Sequence, residues 1–359
     1  MKIFLDCIIY ELQRAGGISV YWSELAARSK GDEFFYWGRE NSNIFSASLS
    51  IDFQHESYPD WLGRRYLPFK RKETTDEKYI FHSSYFRYSC EPAAIGVSTL
   101  HDFTYEHFIR GPRKWVHGLQ KKTAVNKSAG IICVSENTKK DLLRFYPWVD
   151  ENQVKVIYNG VGDEFFYVDD PFPGLASHLN FTPSKPFIIY VGDRSSYKNF
   201  DVFIDLADVM PELDLVVVGG KPFSNSESKR IFPLASRIKH FRGISSGCLN
   251  LLYNSALCLV YPSSYEGFGI PVLEAMKAGC PVVSTNCSSI PEVAGDAALL
   301  VDDIKVEDFA EKIKLLSDQG FRNKLIERGY EQASRFSWDK CFKETYAFYQ
   351  ELWERSDFN

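Results

Sequence analysis

Residues 261–279 read YPSSYEGFGIPVLEAMKAG, and the rest of the chain is read outward from them. The apolar run before them, ending at Leu259 and Val260, has the pattern of a buried strand. A loop with Gly267 and Gly269 follows, then a helix predicted to open at Pro271 and to stop at Gly279. The two glycines let the backbone approach a ligand closely. The N–H groups that open a helix, with its dipole, favour an anion at that end. A phosphate belongs there.

Glu266 and Glu274 bracket this loop. One precedes the glycine turn and the other sits about one turn into the helix, so their carboxylates can reach opposite sides of a ligand whose phosphates lie between them. Carboxylates that accept from hydroxyl pairs suit sugars and ribose. Taken singly, Glu274 could equally complement the helix dipole and Glu266 could be solvated; the pair around this loop favours a nucleotide-sugar site.

Some way upstream, KPFIIYVGDRSSYKNFD (residues 185–201) reads as strand, loop and helix, with Lys198 at the helix start. A cation there opposes the helix dipole, a conflict that an anionic ligand would resolve. LDLVVVGGK then gives a buried strand ending at Gly219 and Gly220, and IKHFRGISSGCLNLLYNSA another strand, loop and helix.

The string EGFGIPVLE (266–274), followed by AMKAGCPVVST (275–285) and IPEVAGDAALLVDD (290–303), resembles the nucleotide-binding half of the retaining GT-B glycosyltransferases of family 4, whose signature is Glu-x7-Glu. The resemblance implies an α/β chain of two Rossmann-like domains with parallel sheets facing across a cleft. It implies transfer of a hexose from a nucleoside diphosphate sugar to a growing surface glycan or lipid-linked glycan, with retention of configuration and with neither metal nor cofactor. On it, Lys198 and, less closely matched, Arg194 address the donor diphosphate together with Gly267, Phe268, Gly269 and Ile270. Glu266 holds the donor sugar's hydroxyls, Glu274 the ribose, and residues 242–245 lie near the base. In the first half, Gly16 and Gly17 approach the donor phosphates, His101 the transferred sugar, and Asp102 and Ser135 the acceptor side. The HDFT string (101–104) and the loop at Lys198 look most like bacterial mannosyltransferases of O-antigen or capsule assembly, related to lipopolysaccharide. That makes GDP-mannose the first donor to consider and a UDP-hexose the next. A non-catalytic GT-B glycan binder or scaffold is the alternative of a different class.

The residues themselves leave some of these roles open. A Gly-Gly turn before a helix is common, His101 could be a structural histidine bonded to backbone, and Ser135 is placed to cap the helix after it. His101, Asp102 and His107 lack the spacing of a helical metal pair, and no Cys/His cluster supports them.

The 359 residues, 45% apolar and 25% charged, fit two ordinary domains, and a net charge of −5 argues against a general nucleic-acid binder. Eight cysteines without a CxxC pair, several inside apolar runs such as Cys133 and Cys258, read as free thiols in a reducing compartment, and a cytoplasmic enzyme is expected. No signal peptide or apolar run long enough to span a membrane is read.

In the first half, strands are predicted at 3–8, 33–37, 79–82, 97–101, 130–134 and 153–157, alternating with helices, the pattern of a parallel sheet. Ligands gather at the C-terminal ends of such strands. The expected division is a first domain over 1–165, a proline-containing linker over 166–185 and a nucleotide-sugar domain over 186–337. The aromatic amphipathic helix in 338–359 is expected to cross back onto the first domain. Two basic runs, RRYLPFKRK (64–72) and RGPRKWVHGLQKK (110–122), are either solvated faces or a peripheral contact with anionic lipid at the inner face of the membrane.

Overall fold

The computed structural model describes residues 1–39, 42–49, 51–56, 62–71 and 76–356. The chain forms two units, one of Met1–Gly160 with the segment from Trp338 onward, the other of Val161–Ser337.

The first unit is built on β1 (Ile3–Asp6), β2 (Phe34–Trp37), β3 (Phe53–Gln54), β4 (Tyr79–Ser83), β5 (Ala94–Leu100), β6 (Gly130–Cys133) and β7 (Val154–Val156), all parallel in the order β3-β2-β1-β4-β5-β6-β7. The six strands expected from the sequence are present with ends shifted by up to three residues; the two-residue β3, too short to carry a pattern, joins them. Strands buried on both faces read as continuous apolar runs, which is why IFLD and GIIC are legible while the two-residue edge strand β3 is not. One core of this unit is aromatic: Phe4, Trp37, Phe69, Tyr79 and Phe81 pack together, with Phe69 stacked on Phe81 at 4.7 Å.

The helix Trp338–Arg355 belongs to this unit. Its aromatic side sets Phe342 and Tyr346 against Phe34, Trp338 against Tyr21, and the Tyr349 hydroxyl 2.5 Å from Nδ1 of the buried His82. Gly130 is required at its crossing, since a Cβ there would lie 2.4 Å from Leu352 and 2.8 Å from Phe348.

The second unit holds β8 (Phe187–Val191), β9 (Asp214–Val218), β10 (Ile238–Phe241), β11 (Cys258–Tyr261), β12 (Val282–Thr285) and β13 (Leu299–Val301), parallel in the order β10-β9-β8-β11-β12-β13. Its core is aliphatic where the first is aromatic, with Ile188, Leu215, Val217, Val260 and Val283 from the strands against Phe203, Leu206, Phe309 and Ile313 from the helices.

The run expected as a linker, 166–185, is part of this second unit. It carries the helix Phe172–Leu179, opened by prolines and closed by Asn180 in the left-handed region (φ 47°). Asn250 and Asn254, one turn apart on the helix Ser246–Ser255, accept from the N–H groups of Phe166 and Val168, and Phe165 packs on Tyr253. The change of unit therefore falls at Gly160, ahead of 165. The partners that fix this segment lie some eighty residues downstream, beyond the reach of local pattern.

The basic run 64–72 is in part internal. Arg64 bonds Glu56 and Glu11, and Arg71 bonds Glu91, both guanidiniums buried, while Lys72 lies outside the described residues. Arg64 and Arg71 thus hold the fold, while Lys70 is exposed.

Candidate functional site

In each sheet the strand order reverses once, between β1 and β4 and between β8 and β11, and in open parallel sheets such a reversal leaves a crevice at the strands' C-terminal ends. The two loops that flank the second reversal are those on which Lys198 and Glu266 stand. A short 3-10 turn, Ser196–Lys198, follows β8, and Asn199, in the left-handed region at φ 48°, hands the chain to the helix Phe200–Val209. The loop after β11 ends at Gly269, whose φ of 103° only glycine takes readily, and the helix Ile270–Lys277 opens with Pro271 at its second position. The helix begins one residue earlier than the sequence suggests.

Lys198 Nζ lies 2.6 Å from Glu266 Oε1 and 3.3 Å from the Tyr261 hydroxyl, within cation–π distance of Tyr261 and Tyr197. Burial opposes the ammonium charge, but Glu266 with the neighbouring phenols outweighs it, and the lysine is held well above its usual range. Around this pair the loops are pinned by hydrogen bonds. Asn199 donates to the Pro262 carbonyl, Ser264 N–H to the Tyr197 carbonyl, and Ser289 Oγ to the carbonyls of Glu266 and Phe268; the Glu266 N–H donates to Ser288 Oγ. Phe268 is buried edge-on to Phe336, and Gly269 sits so close to Ile290 that a Cβ would come within 2.9 Å of it. The backbone at Glu266 and Phe268 is thus tied to the turn at Ser288 and Ser289.

Glu274 accepts from the Tyr253 hydroxyl at 3.0 Å, and burial pushes its carboxyl up to about 7 despite that bond. Arg194 does different work from Lys198. Its Nε meets Glu227 at 2.6 Å, its Nη2 donates to the carbonyls of Lys221 and Pro222, and the guanidinium lies over Phe223 and Phe200. These bonds hold Glu227, itself opening the capped helix Asn225–Ile231, at about 2, the arginine and the Ser224 N–H outweighing its partial burial. Gly220, at φ 67° and 2.6 Å from Nη1 were it to carry a Cβ, makes room for this clamp.

In the first unit, Gly16 precedes and Gly17 opens the helix Gly17–Arg28, after β1, and a Cβ on Gly17 would meet nothing within 4 Å. His101 and Asp102 follow β5. His101 stands edge-on to Tyr21 at 4.9 Å, its Nε2 without a partner among the described residues, and burial lowers it to about 4, so the ring is neutral. Asp102 turns back to accept the Thr104 N–H, and its carbonyl accepts from the fully buried Lys121, which also pairs with Glu106. Ser135 caps Glu136–Phe145, accepting from the Thr138 N–H at 3.0 Å and donating to the Thr138 hydroxyl. Sequence reading missed Tyr253, Tyr261, Ser288 and Ser289, which stand in ordinary apolar or turn contexts with no spacing that ties them to Glu266 or Glu274.

Two doubly wound parallel units, one of them with a cation and two carboxylates on and beside a glycine loop that opens a helix, define a protein of the doubly wound α/β class. Residues 176–332 match the family described as glycosyl transferases group 1, and residues 79–165 that of glycosyltransferase family 4. The chain is 30% identical over 379 residues to an uncharacterized glycosyltransferase of Methanocaldococcus jannaschii, covering 98% of this chain and 99% of that protein. It is 27% identical over 292 residues to the Escherichia coli O-antigen chain mannosyltransferase B, across 76% of this chain and 74% of that one. Among solved structures, Anabaena HepE in complex with UDP and glucose superposes with a TM-score of 0.73 at 17% identity, over 97% and 98% of the two chains. The chain belongs to the family 4 glycosyltransferases and has their GT-B fold.

Proposed function

We propose that this glycosyltransferase moves a hexose with retention of configuration, without a metal, from a nucleoside diphosphate sugar to a surface glycan or lipid-linked glycan, and that the donor is GDP-mannose. The buried Lys198–Glu266 pair at the strand reversal carries the reading, because it joins a cation suited to a diphosphate with a carboxylate suited to sugar hydroxyls. The likeness to an O-antigen mannosyltransferase supports mannose and a glycan acceptor.

In this reading Lys198 and the N–H groups at the start of the helix Ile270–Lys277 stabilise charge developing on the leaving diphosphate, the preorganised electrostatic contribution that usually dominates such reactions. Glu266 orients the sugar and Glu274 accepts from the ribose. The bond from the anomeric carbon to the diphosphate breaks as the acceptor oxygen bonds to the same face, and the acceptor's proton passes to the leaving phosphate oxygen. Arg194 supports the loop 219–224 and contributes to the donor indirectly. The neutral His101 donates to or accepts from the transferred sugar without bringing charge. The enzyme works at the cytoplasmic face of the membrane, in peripheral contact with it.

The test is thermal stabilisation with GDP, UDP, dTDP and ADP and their common sugars, in buffer containing a chelator, since a ligand that binds only the native state raises its melting temperature by mass action. A selective shift with GDP and GDP-mannose is expected. A shift with UDP compounds instead overturns the donor, a shift that needs added metal overturns the metal-free mechanism, and no shift with any nucleotide favours a non-catalytic scaffold.

A further inference from the structure

His82 is a fully buried histidine with a partner on each ring nitrogen. On β4 it stands opposite Val97 of β5, which makes Thr99 its diagonal neighbour on the same face of the sheet, and its Nε2 lies 2.8 Å from the Thr99 hydroxyl. Its Nδ1 lies 2.5 Å from the hydroxyl of Tyr349, on the helix Trp338–Arg355. Thr99 in turn lies 3.3 Å from the hydroxyl of Tyr21, on the helix Gly17–Arg28. Tyr349, His82, Thr99 and Tyr21 thus form one buried file of polar groups across two strands and two helices, with Trp22 edge-on to His82 at 4.8 Å and Trp338 packed on Tyr21.

The file has a direction and an end. Burial lowers His82 to about 3, so the ring is neutral with a single N–H, and each hydroxyl has one proton to give. Every donor along the file therefore points the same way, and a change at one end is felt at the other. The end is His101, two residues past Thr99, against which the Tyr21 ring stands edge-on at 4.9 Å. The Nε2 of His101 has no partner among the described residues, so packing, Tyr21 included, orients its ring. Apolar side chains at the four positions would avoid the desolvation that a buried polar file incurs; what the file adds is a fixed placement of Tyr21.

We propose that Tyr349, His82, Thr99 and Tyr21 are positioning residues for His101: they hold the ring of Tyr21, and through it the orientation and tautomer of the imidazole that the proposed function sets against the transferred sugar. The catalytic meaning of the file rests on that reading of His101; the coupling along it does not. The helix Trp338–Arg355 thereby has a part in the reaction besides covering the first sheet, since its Tyr349 closes the file.

The experiment is long-range proton–nitrogen NMR of the full chain labelled in its seven histidines, with the His101 signals identified by their loss in His101→Gln. In the parent the two ring nitrogens of His101 should show the well-separated shifts of one fixed neutral tautomer. In Tyr349→Phe and in Tyr21→Phe, each nearly isosteric, they should move towards the averaged values of exchanging tautomers. Tyr346→Phe, on the same helix but with its hydroxyl near Glu33, should leave them in place. His101 signals that stay at the parent positions in both file variants overturn the proposal. Calorimetry then compares the nucleoside diphosphate of the panel that binds with its own sugar conjugate. Tyr349→Phe should weaken the conjugate roughly fivefold, about what one neutral hydrogen bond is worth, and leave the bare diphosphate unchanged. Equal weakening of both ligands marks damage to the fold and also overturns it. His101 signals that move while both affinities stay at parent values uphold the coupling and fault the sugar contact of the proposed function instead.

Discussion

At the reversal of the second sheet Lys198 and Glu266 bond each other and the loops that carry them are tied together, whereas in the first unit His101, Asp102 and Ser135 each answer to a separate neighbour. A ligand entering the second site meets a hydrogen-bonded, already charged arrangement and must compete with Glu266 for the lysine. One entering the first meets a neutral imidazole and side chains engaged in turns and caps. Preorganised charge lowers the cost of stabilising a leaving group, and such sites lose much when one member goes.

The largest effect expected is from breaking the pair. Lys198→Ala should lower transferase turnover by about two to three orders of magnitude by removing charge stabilisation of the leaving group. It should also destabilise the second unit by about 3–5 kcal/mol, since Glu266 is left buried without its partner. Adding Glu266→Gln should restore part of that stability without activity, a non-additivity visible in denaturant melts of the four-member cycle. Equal turnover in Lys198→Ala and parent would mean that the contrast between the two halves has no catalytic content.

Intermediate in size is the response of Glu274 to pH. Its carboxyl titrates near 7 in the native state and near its ordinary value when unfolded, so between those values the native state keeps a proton that the unfolded chain has lost. Its stabilising contribution is full below the lower value and falls as pH rises towards 7. Nucleotide affinity should run the other way, rising roughly tenfold from pH 6 to 8 as the carboxylate that accepts from ribose forms. Calorimetry across that range should show the rise in the parent and a flat profile in Glu274→Gln; a rise of equal size in both would remove Glu274 from the nucleotide site.

Smallest is Ser135→Ala. Loss of the cap should cost about 1 kcal/mol in thermal melts while kcat and KM stay near parent values, because its oxygen serves Thr138. A kinetic loss far beyond the stability loss would return Ser135 to the acceptor side and narrow the difference between the units.

Much of the second unit was legible because its signals are local. A continuous apolar strand, a glycine whose backbone only glycine takes readily and a proline in the first turn follow one another between Cys258 and Pro271, and EGFGIPVLE holds the glycine and the proline. The first unit's strands were legible for the same reason, except β3. What pattern did not yield depends on partners far along the chain: Asn250 and Asn254 draw 166–168 into the second unit, and Glu227 engages Arg194. Likewise Glu56 and Glu91 take Arg64 and Arg71 of the run 64–72 inside.

Sequence by itself determined that two parallel α/β halves form, that one opens a helix behind a glycine loop between two glutamates, and that the chain belongs with the family 4 glycosyltransferases. Tertiary structure alone decided which charges are spent on one another and which are left for something else. Strand and helix propensity act over a few residues, whereas the fate of a charge depends on which opposite charge or carbonyl folding brings within about 3 Å, and on how much water is left around it.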